Sequence, residues 1–146
     1  MVDLRNFGSV KRAALRCIEQ YPGVLAAYIF GSVAKGHTHR RSDVDIAVLV
    51  SVEVIKSDPF RYRLKLMADL KSALGRDDVD LILLNQARPL LAHRVLRDGK
   101  LILERSPSAR IRFQVHTVNQ YLDTQPMRDF YLAHLKRDVE EGKIFG

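Results

Sequence analysis

The order of apolar and polar residues along the chain predicts helices that cover a small sheet. Continuous apolar runs predict buried strands at 24–30, 43–50, 77–85 and 100–105. A first helix is predicted from about Asp3 to Tyr21, where Pro22 and Gly23 interrupt the pattern. Its apolar stripe consists of Val10, Ala14, Cys17, Ile18 and Tyr21.

Two further helices are predicted between the strands. Asp58 followed by Pro59 is typical of a helix start, and Gly75 is typical of a helix end. The residues expected on the apolar face of this helix are Phe60, Leu64, Met67 and Leu74. A shorter helix is predicted from Pro89 to Leu96, before Asp98 and Gly99.

The last third of the chain has a helical pattern. Ser106 and Pro107 open it, and a break near Gln125 and Pro126 separates two helical stretches that end at about Glu141. Apolar residues recur in the first stretch at helical spacing, namely at Ile111, Val115, Val118 and Leu122. No linker separates this part from the rest, so we expect a single domain over 1–146, with a core at about 5–105 and C-terminal helices at about 106–141.

Composition narrows the class of protein. With 146 residues, 47% hydrophobic and 28% charged, the chain has the make-up of one globular domain. The lone Cys17 excludes an internal disulfide and a multi-cysteine zinc site, and its place on the apolar stripe favours a core role. No apolar run is long enough to span a membrane and no signal-peptide pattern opens the chain, so we expect a cytoplasmic protein. The net charge of +7 would attract polyanions, nucleotides or an acidic partner, although an ordinary solvated surface also has this balance.

The stretch GSVAKGHTHRRSDVDIAVLV, residues 31–50, carries the candidate chemistry. Asp43 and Asp45 open an apolar strand, and the two-residue period of a strand puts them on one face. Such carboxylates are costly at the edge of a core unless a cation compensates them. Gly31 permits a tight turn, and Ser32 supplies a hydroxyl at the start of an expected short helix, which suits phosphate oxygens. The pattern therefore predicts Mg²⁺ on the two acids, bridging the phosphates of a nucleotide on the turn.

A third acid, Asp80, lies in another predicted strand. It is the natural residue to complete a two-metal site and to help deprotonate an attacking hydroxyl. Asp77 and Asp78 lie beside it and are alternatives. In the competing interpretation the acids only cap strands and pair with arginines, for which the candidates are Arg40, Arg41 and Arg61.

The loop before the acids contains two histidines, His37 and His39. This spacing is compatible with a transition metal, but no third ligand lies at helical or strand spacing, so contact with solvent or substrate is favoured. Arg40 and Arg41 either steer a phosphate or a partner, or belong to a solvated loop.

These residues resemble a known family. Gly31-Ser32, ten residues and then Asp43-Val44-Asp45 form the GS-x10-DxD signature of the DNA polymerase beta-like nucleotidyltransferases. GSVAKG and SDVDIAVLV are similar to the minimal nucleotidyltransferase (MNT) branch, over about residues 5–105. The resemblance implies an α+β nucleotidyltransferase fold, a small mixed β-sheet flanked by α-helices with a helical C-terminal region. It also implies phosphate contacts from Gly31 and Ser32, and metal ligation by Asp43, Asp45 and Asp80. Many relatives have Arg where this chain has Lys35, which keeps the charge without the bidentate fork.

The family resemblance implies a reaction and a partner. The shared reaction transfers a nucleoside monophosphate from an NTP to a hydroxyl and releases pyrophosphate. Free-standing MNT proteins of this size resemble antitoxins of HEPN/MNT toxin–antitoxin pairs, which place AMP on a tyrosine of an RNA-cleaving HEPN toxin. We therefore expect ATP as substrate, Mg²⁺ as cofactor and a HEPN toxin in a heteromeric complex. Neither a membrane nor nucleic acid is expected as the main partner.

Two other functions remain open at this point. A non-catalytic antitoxin would act by binding only, through the C-terminal helices with Phe130, Tyr131 and Leu135, and would not need Asp80. A small-molecule nucleotidyltransferase of the aminoglycoside type would need an acidic acceptor pocket, which the basic balance disfavours. The region from about Ser106 to Glu141 is expected either to dock the partner or to complete the core.

Overall fold

A computed structural model describes residues 6–31, 34 and 43–140 of the chain. The helices in this part are α1 (Phe7–Ile18), α2 (Val52–Lys56), α3 (Pro59–Leu74), α4 (Pro89–Asp98), α5 (Pro107–Asp123) and α6 (Gln125–Glu140). The strands are β1 (Val24–Phe30), β2 (Val44–Val50), β3 (Val79–Leu83) and β4 (Lys100–Glu104). A short 3₁₀ helix, Leu84–Gln86, follows β3.

The strands form one mixed sheet in the order β3-β2-β1-β4. β1 is antiparallel to both β2 and β4, whereas β2 and β3 are parallel. Helices α1 and α3 pack on one face, and α4 and α5 pack on the other, each over its own apolar cluster. The predicted α+β class and the mixed sheet flanked by helices are confirmed.

Helix α1 is shorter than the sequence pattern suggests. The side chain of Asn6 accepts a hydrogen bond from the backbone N–H of Gly8, and the helix begins at Phe7. The predicted start near Asp3 lies outside the described residues. The helix ends at Ile18, and Tyr21 lies beyond it. Tyr21 is nevertheless buried, and its hydroxyl donates a hydrogen bond to Asp69 of α3.

Helix α3 has the predicted ends but a different buried face. The Asp58 side chain accepts a hydrogen bond from the N–H of Arg61, and Gly75 ends the helix with a φ of 69°. The residues that are buried on this helix are Leu66, Leu70 and Leu74. The prediction for Phe60 and Leu64 was wrong, since these side chains are 67% and 42% exposed. It is confirmed for Leu74, which is buried, and for Met67, which packs partly buried against the core. A helix on a sheet buries only one stripe, and the three leucines spaced four apart occupy it.

Two short elements were not predicted, and one strand is shorter than expected. Helix α2 has five residues and buries none of them, so no apolar periodicity marks it. Strand β3 covers Val79–Leu83 instead of 77–85, because the chain turns into the 3₁₀ helix directly after Leu83. The predicted helix at 89–96 and the boundary near Gln125 are confirmed, although α4 continues to Asp98.

The C-terminal helices are attached to the sheet layer through a few aromatic contacts. Phe113 of α5 packs against the α4 side of the core. The rings of His93 and Tyr121 stack at 3.8 Å, and the guanidinium of Arg128 lies 3.9 Å from the Tyr121 ring centroid. Arg128 also donates a hydrogen bond to the Tyr121 carbonyl, which ties α6 to α5. Over the residues that the structure describes, no helix combines the length and apolarity needed to cross a bilayer.

Candidate functional site

Two of the predicted acids lie side by side at one end of the sheet. The parallel register of β2 and β3 pairs Asp45 with Asp80. Since neighbouring residues in register on adjacent strands point to the same face, both carboxylates lie on one side of the sheet. It is the α4 side, because Ala47 and Leu49, which share the alternation of Asp45, belong to the cluster under α4. Asp43 directly precedes β2 and is exposed.

Gly31 brings the backbone against this acidic pair. It follows Phe30, whose register partner across β1 and β2 is Asp45. Gly31 has a φ of 76°, which side chains disfavour, and a Cβ on it would overlap the Asp45 carboxylate. A glycine is therefore required both by the turn and by the close approach. Ser32, the predicted phosphate-binding hydroxyl, and its expected short helix lie outside the described residues.

The acids repel one another. Burial and the negative charges of Asp80 and Asp43 raise the pKa of Asp45 from its ordinary 3.8 to about 6. Such an accumulation of carboxylates fits a hard divalent cation with oxygen ligands, and Mg²⁺ is the usual one beside phosphates. As placed, no three His, Cys, Asp or Glu side chains within 6–31, 34 and 43–140 surround a common metal position.

An arginine that the sequence analysis missed contacts the third acid. A terminal nitrogen of Arg63 lies 3.7 Å from Asp80 Oδ1, and its Nε donates to the Leu81 carbonyl at 2.7 Å. Arg61, the predicted partner, instead lies 3.8 Å from Asp58. Arg63 belongs to α3 and reaches β3 only through tertiary packing, so no local pattern identifies it.

The alternatives to Asp80 have other positions and contacts. Asp78 forms a two-fold ion pair with Arg76, and its backbone carbonyl accepts a hydrogen bond from the N–H of Val44. Asp77 and Asp78 both precede β3, whereas Asp80 lies within it, in register with Asp45. The geometry favours Asp80 as the third acid. The remaining loop residues of interest lie outside the described part of the chain, namely Lys35, His37, His39, Arg40 and Arg41.

Comparison with known families matches this arrangement to one of them. The family model described as polymerase beta, nucleotidyltransferase matches residues 13–108, which contain the turn, the acids and all four strands. The chain belongs to this nucleotidyltransferase family.

The chain is also similar to individual named proteins. The chain is 32% identical over 110 residues to protein adenylyltransferase MntA of Shewanella oneidensis, covering 75% of each chain. It is 29% identical over 114 residues to protein adenylyltransferase MntA of Aphanizomenon flos-aquae, covering 75% of this chain and 76% of the relative.

Solved structures extend the similarity into the C-terminal helices. A crystal structure of a toxin–antitoxin with AMP-PNP matches with a TM-score of 0.73 and 29% identity, covering 86% of this chain and 98% of the other. A structure of tri-AMPylated Shewanella oneidensis HEPN toxin in complex with MNT antitoxin matches with a TM-score of 0.70 and 25% identity. That match covers 89% of this chain and 98% of the other.

Proposed function

We propose that the protein is an antitoxin that transfers AMP from ATP to a tyrosine hydroxyl of a cognate HEPN ribonuclease toxin. This transfer neutralises the toxin. The observation that carries this proposal is the register of Asp45 with Asp80 beside the Gly31 turn. The relatives named MntA are protein adenylyltransferases, and matching structures contain an AMPylated HEPN toxin or AMP-PNP. We place the activity in the cytoplasm, where ATP is available.

Each residue of the site has a distinct part in this reaction. Asp43, Asp45 and Asp80 would hold Mg²⁺, which when bound offsets negative charge on the phosphates. Gly31 lets the backbone approach the phosphate chain, and Ser32 would donate its hydroxyl to a phosphate oxygen. Asp80 would accept the proton of the attacking hydroxyl. The hydroxyl oxygen bonds to the α-phosphorus while the bond to the bridging oxygen of the β-phosphate breaks, releasing pyrophosphate.

The nucleotide site is tested by binding and by transfer together. Calorimetry with Mg²⁺-ATP should show binding to the wild-type protein that weakens strongly when Asp43→Asn and Asp45→Asn are combined. Radiolabel from α-labelled ATP should appear on the co-purified HEPN protein encoded by a neighbouring gene, and should be absent with the double variant. Unchanged ATP affinity in that variant would rule out this site.

The C-terminal helices expose apolar residues that support a docking surface for the toxin. Phe130 and Tyr131 of α6 are each 66% exposed, and Leu135 is 37% exposed. Arg128, Lys136 and Arg137 lie on the same helix. Aromatic residues mixed with arginine are typical of interface hot spots, and exposed apolar residues on a helix favour a binding surface over a core. We therefore assign docking of the HEPN toxin to the region 106–141.

The same complex separates the proposed enzyme from a protein that acts by binding only. In cells that express the toxin, Asp45→Asn should still bind the toxin but should fail to restore growth. Full rescue of growth by this variant would favour inhibition by contact. Label that accumulates on an aminoglycoside and not on the toxin would favour a small-molecule transferase.

A further inference from the structure

A small cavity lies next to the Gly31 turn. Its volume is about 190 Å³, and its described walls are Phe30, Gly31, Leu91, Arg94 and Asp98. Pockets that enclose a drug-sized ligand measure roughly 300–1,000 Å³, so this one takes only part of a nucleotide. One wall is the end of β1, and the other is a single stripe of α4, since 91, 94 and 98 follow helical spacing.

The cavity lies on the same face of the sheet as the acids. Tyr28, two residues before Phe30, belongs to the cluster under α4, and strand alternation gives Phe30 the same face. Neither Asp45 nor Asp80 is among the lining residues, so the cavity adjoins the turn and not the acidic pair. A phosphate chain whose α-phosphate lies at the acids would cross the Gly31 turn toward this cavity.

Helix α4 is held firmly against β1 at this point. Ala92 and Val95 are buried in the cluster beneath the helix. Gly99, directly after the helix, leaves no room for a side chain, because an added Cβ would lie 2.5 Å from the Val95 carbonyl oxygen. The same Cβ would lie 3.5 Å from the Ile29 carbonyl oxygen. The backbone of Arg94 is therefore fixed relative to the turn.

The side chain of Arg94 is exposed and lines the cavity. Neighbouring arginines are engaged: Arg97 forms two hydrogen bonds of 3.0 Å with Asp98, and Arg110 lies 3.2 Å from Glu104. Within 6–31, 34 and 43–140, no hydrogen bond or ion pair joins Arg94 to another residue. The carboxylate of Asp98, on the same wall of the cavity, forms an ion pair with Arg97. The cavity is therefore lined by the positive charge of Arg94 beside a carboxylate that already has a cationic partner.

We propose that Arg94 binds the β- and γ-phosphates of the nucleoside triphosphate, and so holds the pyrophosphate that leaves. The inference rests on the proposed function and deepens it. A guanidinium presents two parallel N–H donors that match two phosphate oxygens. As the acceptor oxygen bonds to the α-phosphorus, the bond from that phosphorus to the bridging oxygen breaks, and the electron pair leaves with pyrophosphate. Arg94 stabilises the charge that develops on this leaving group.

The test is calorimetric binding of three probes in the presence of Mg²⁺: a non-hydrolysable ATP analogue, AMP and pyrophosphate. Arg94→Ala should weaken binding of the ATP analogue and of pyrophosphate at least tenfold, about 1.4 kcal/mol. Its affinity for AMP should stay within a factor of two. Arg94→Lys should recover part of the loss, since it keeps the charge without the fork.

Arg88→Ala is the matched control. Arg88 is the N-cap of the same helix, is exposed, and lies about 9 Å further along the helix axis. The Arg88→Ala substitution removes the same charge as Arg94→Ala and should leave the affinities for all three probes unchanged. An equal loss for the ATP analogue in both variants would overturn the proposal, because it would reflect net charge alone. An equal loss for the ATP analogue and AMP in Arg94→Ala would also overturn it.

The outcome for the wild-type protein separates this inference from the proposed function. If the wild type binds the ATP analogue and transfers AMP while Arg94→Ala binds normally, only the role of Arg94 is wrong. If the wild type binds neither the ATP analogue nor pyrophosphate, the proposed function fails and the role of Arg94 fails with it.

Discussion

The sheet layer, formed by β1–β4 with the covering helices α1 and α3, buries its apolar residues more completely than the C-terminal helix pair does. In the sheet layer, β1 and β2 are almost entirely buried, and α1 and α3 cover them with residues such as Ile18 and Leu70. In the C-terminal pair, α5 and α6, Thr117 is the one buried residue. The large apolar residues of the pair that remain exposed are Ile111, Val115, Val118, Leu122, Met127, Phe130, Tyr131, Leu132, Leu135 and Val139.

The sheet layer and the C-terminal helix pair are suited to different functions. The sheet layer buries enough apolar surface to fix its backbone, and this rigidity holds Asp45 in register with Asp80 and keeps Gly31 beside Asp45. The helix pair leaves much of its apolar surface in water, which is costly at roughly 25 cal/mol per Å² unless another surface covers it. We infer that the sheet layer carries the chemistry and the helix pair carries the partner.

The largest expected effect is on transfer, within the sheet layer. Asp80→Asn should lower AMP transfer on the order of 10³-fold, because it removes a proposed metal ligand and proton acceptor. Asp77→Asn is the matched control and should retain wild-type transfer. Single-turnover assays with α-labelled ATP give the rates, and pull-down of the toxin should be equal for both variants. Normal transfer by Asp80→Asn would move the third acid to Asp77 or Asp78.

The second-largest expected effect is on the free energy of unfolding, and it should differ between the sheet layer and the C-terminal helix pair. Leu70→Ala removes a fully buried side chain and should lower the free energy of unfolding by about 3 kcal/mol. Val115→Ala on α5, where the side chain is 55% exposed, should change it by less than about 0.5 kcal/mol. Chemical denaturation of the isolated protein measures both. Similar losses for the two variants would mean that α5 contributes to the core as much as α3 does.

Much of the sheet layer was predictable from the sequence. Buried strands carry continuous apolar runs, and the ends of α3 carry local signals in Asp58, Pro59 and Gly75. The position of Asp45 at the start of β2, with Asp43 directly before the strand, was predictable because the apolar run that follows is a local signal. The resemblance to a family supplied Asp80 as the third acid. The register of Asp80 with Asp45 was not predicted, because it depends on which strands pair, and no local pattern encodes that.

The failures have a common physical cause. Helical spacing of apolar residues shows that a face exists, but not what covers it. The face predicted with Phe60 on α3 is partly exposed. For the stripe of α5 around Val115, which is exposed, the sequence left a docking role and a core role open. Arg63 contacts Asp80, and Arg94 lines the cavity, only because helices distant in sequence pack beside the sheet. Contacts of this kind depend on tertiary structure.

A smaller effect is expected at the proposed docking surface. Phe130→Ala combined with Tyr131→Ala should weaken toxin binding at least tenfold, because exposed aromatic residues contribute strongly to interfaces. The loss of stability should stay below about 1.5 kcal/mol, since the truncation mainly removes the edge-to-face pair of Phe130 with His134, whose ring centroids are 4.4 Å apart. Thermal unfolding and pull-down of the toxin measure the two quantities. Wild-type pull-down, or unfolding of the variant, would show that this surface is not the docking site.

The smallest expected effect is on the reactivity of the Cys17 thiol, which reports on the buried region. Cys17 packs partly buried against the core, and burial together with the charge of Asp69 raises its pKa from 9.0 to about 11. At pH 8 its thiolate fraction should therefore be roughly a hundredfold lower than that of an ordinary cysteine, because a tenfold drop accompanies each pKa unit.

Alkylation by iodoacetamide, followed by mass spectrometry, measures this difference. A second cysteine introduced by Val115→Cys, in a Cys17→Ala background, provides the reference on α5. The introduced thiol should react about a hundredfold faster than Cys17 at pH 8, and denaturant should abolish the difference. Because the folded state holds the proton more tightly, Cys17 also stabilises the fold below pH 9, and this contribution is lost as the pH rises toward 11. Wild type should therefore lose more stability over that interval than Cys17→Ala. Equal alkylation rates in the folded proteins would contradict the contrast between a closed sheet layer and an open helix pair.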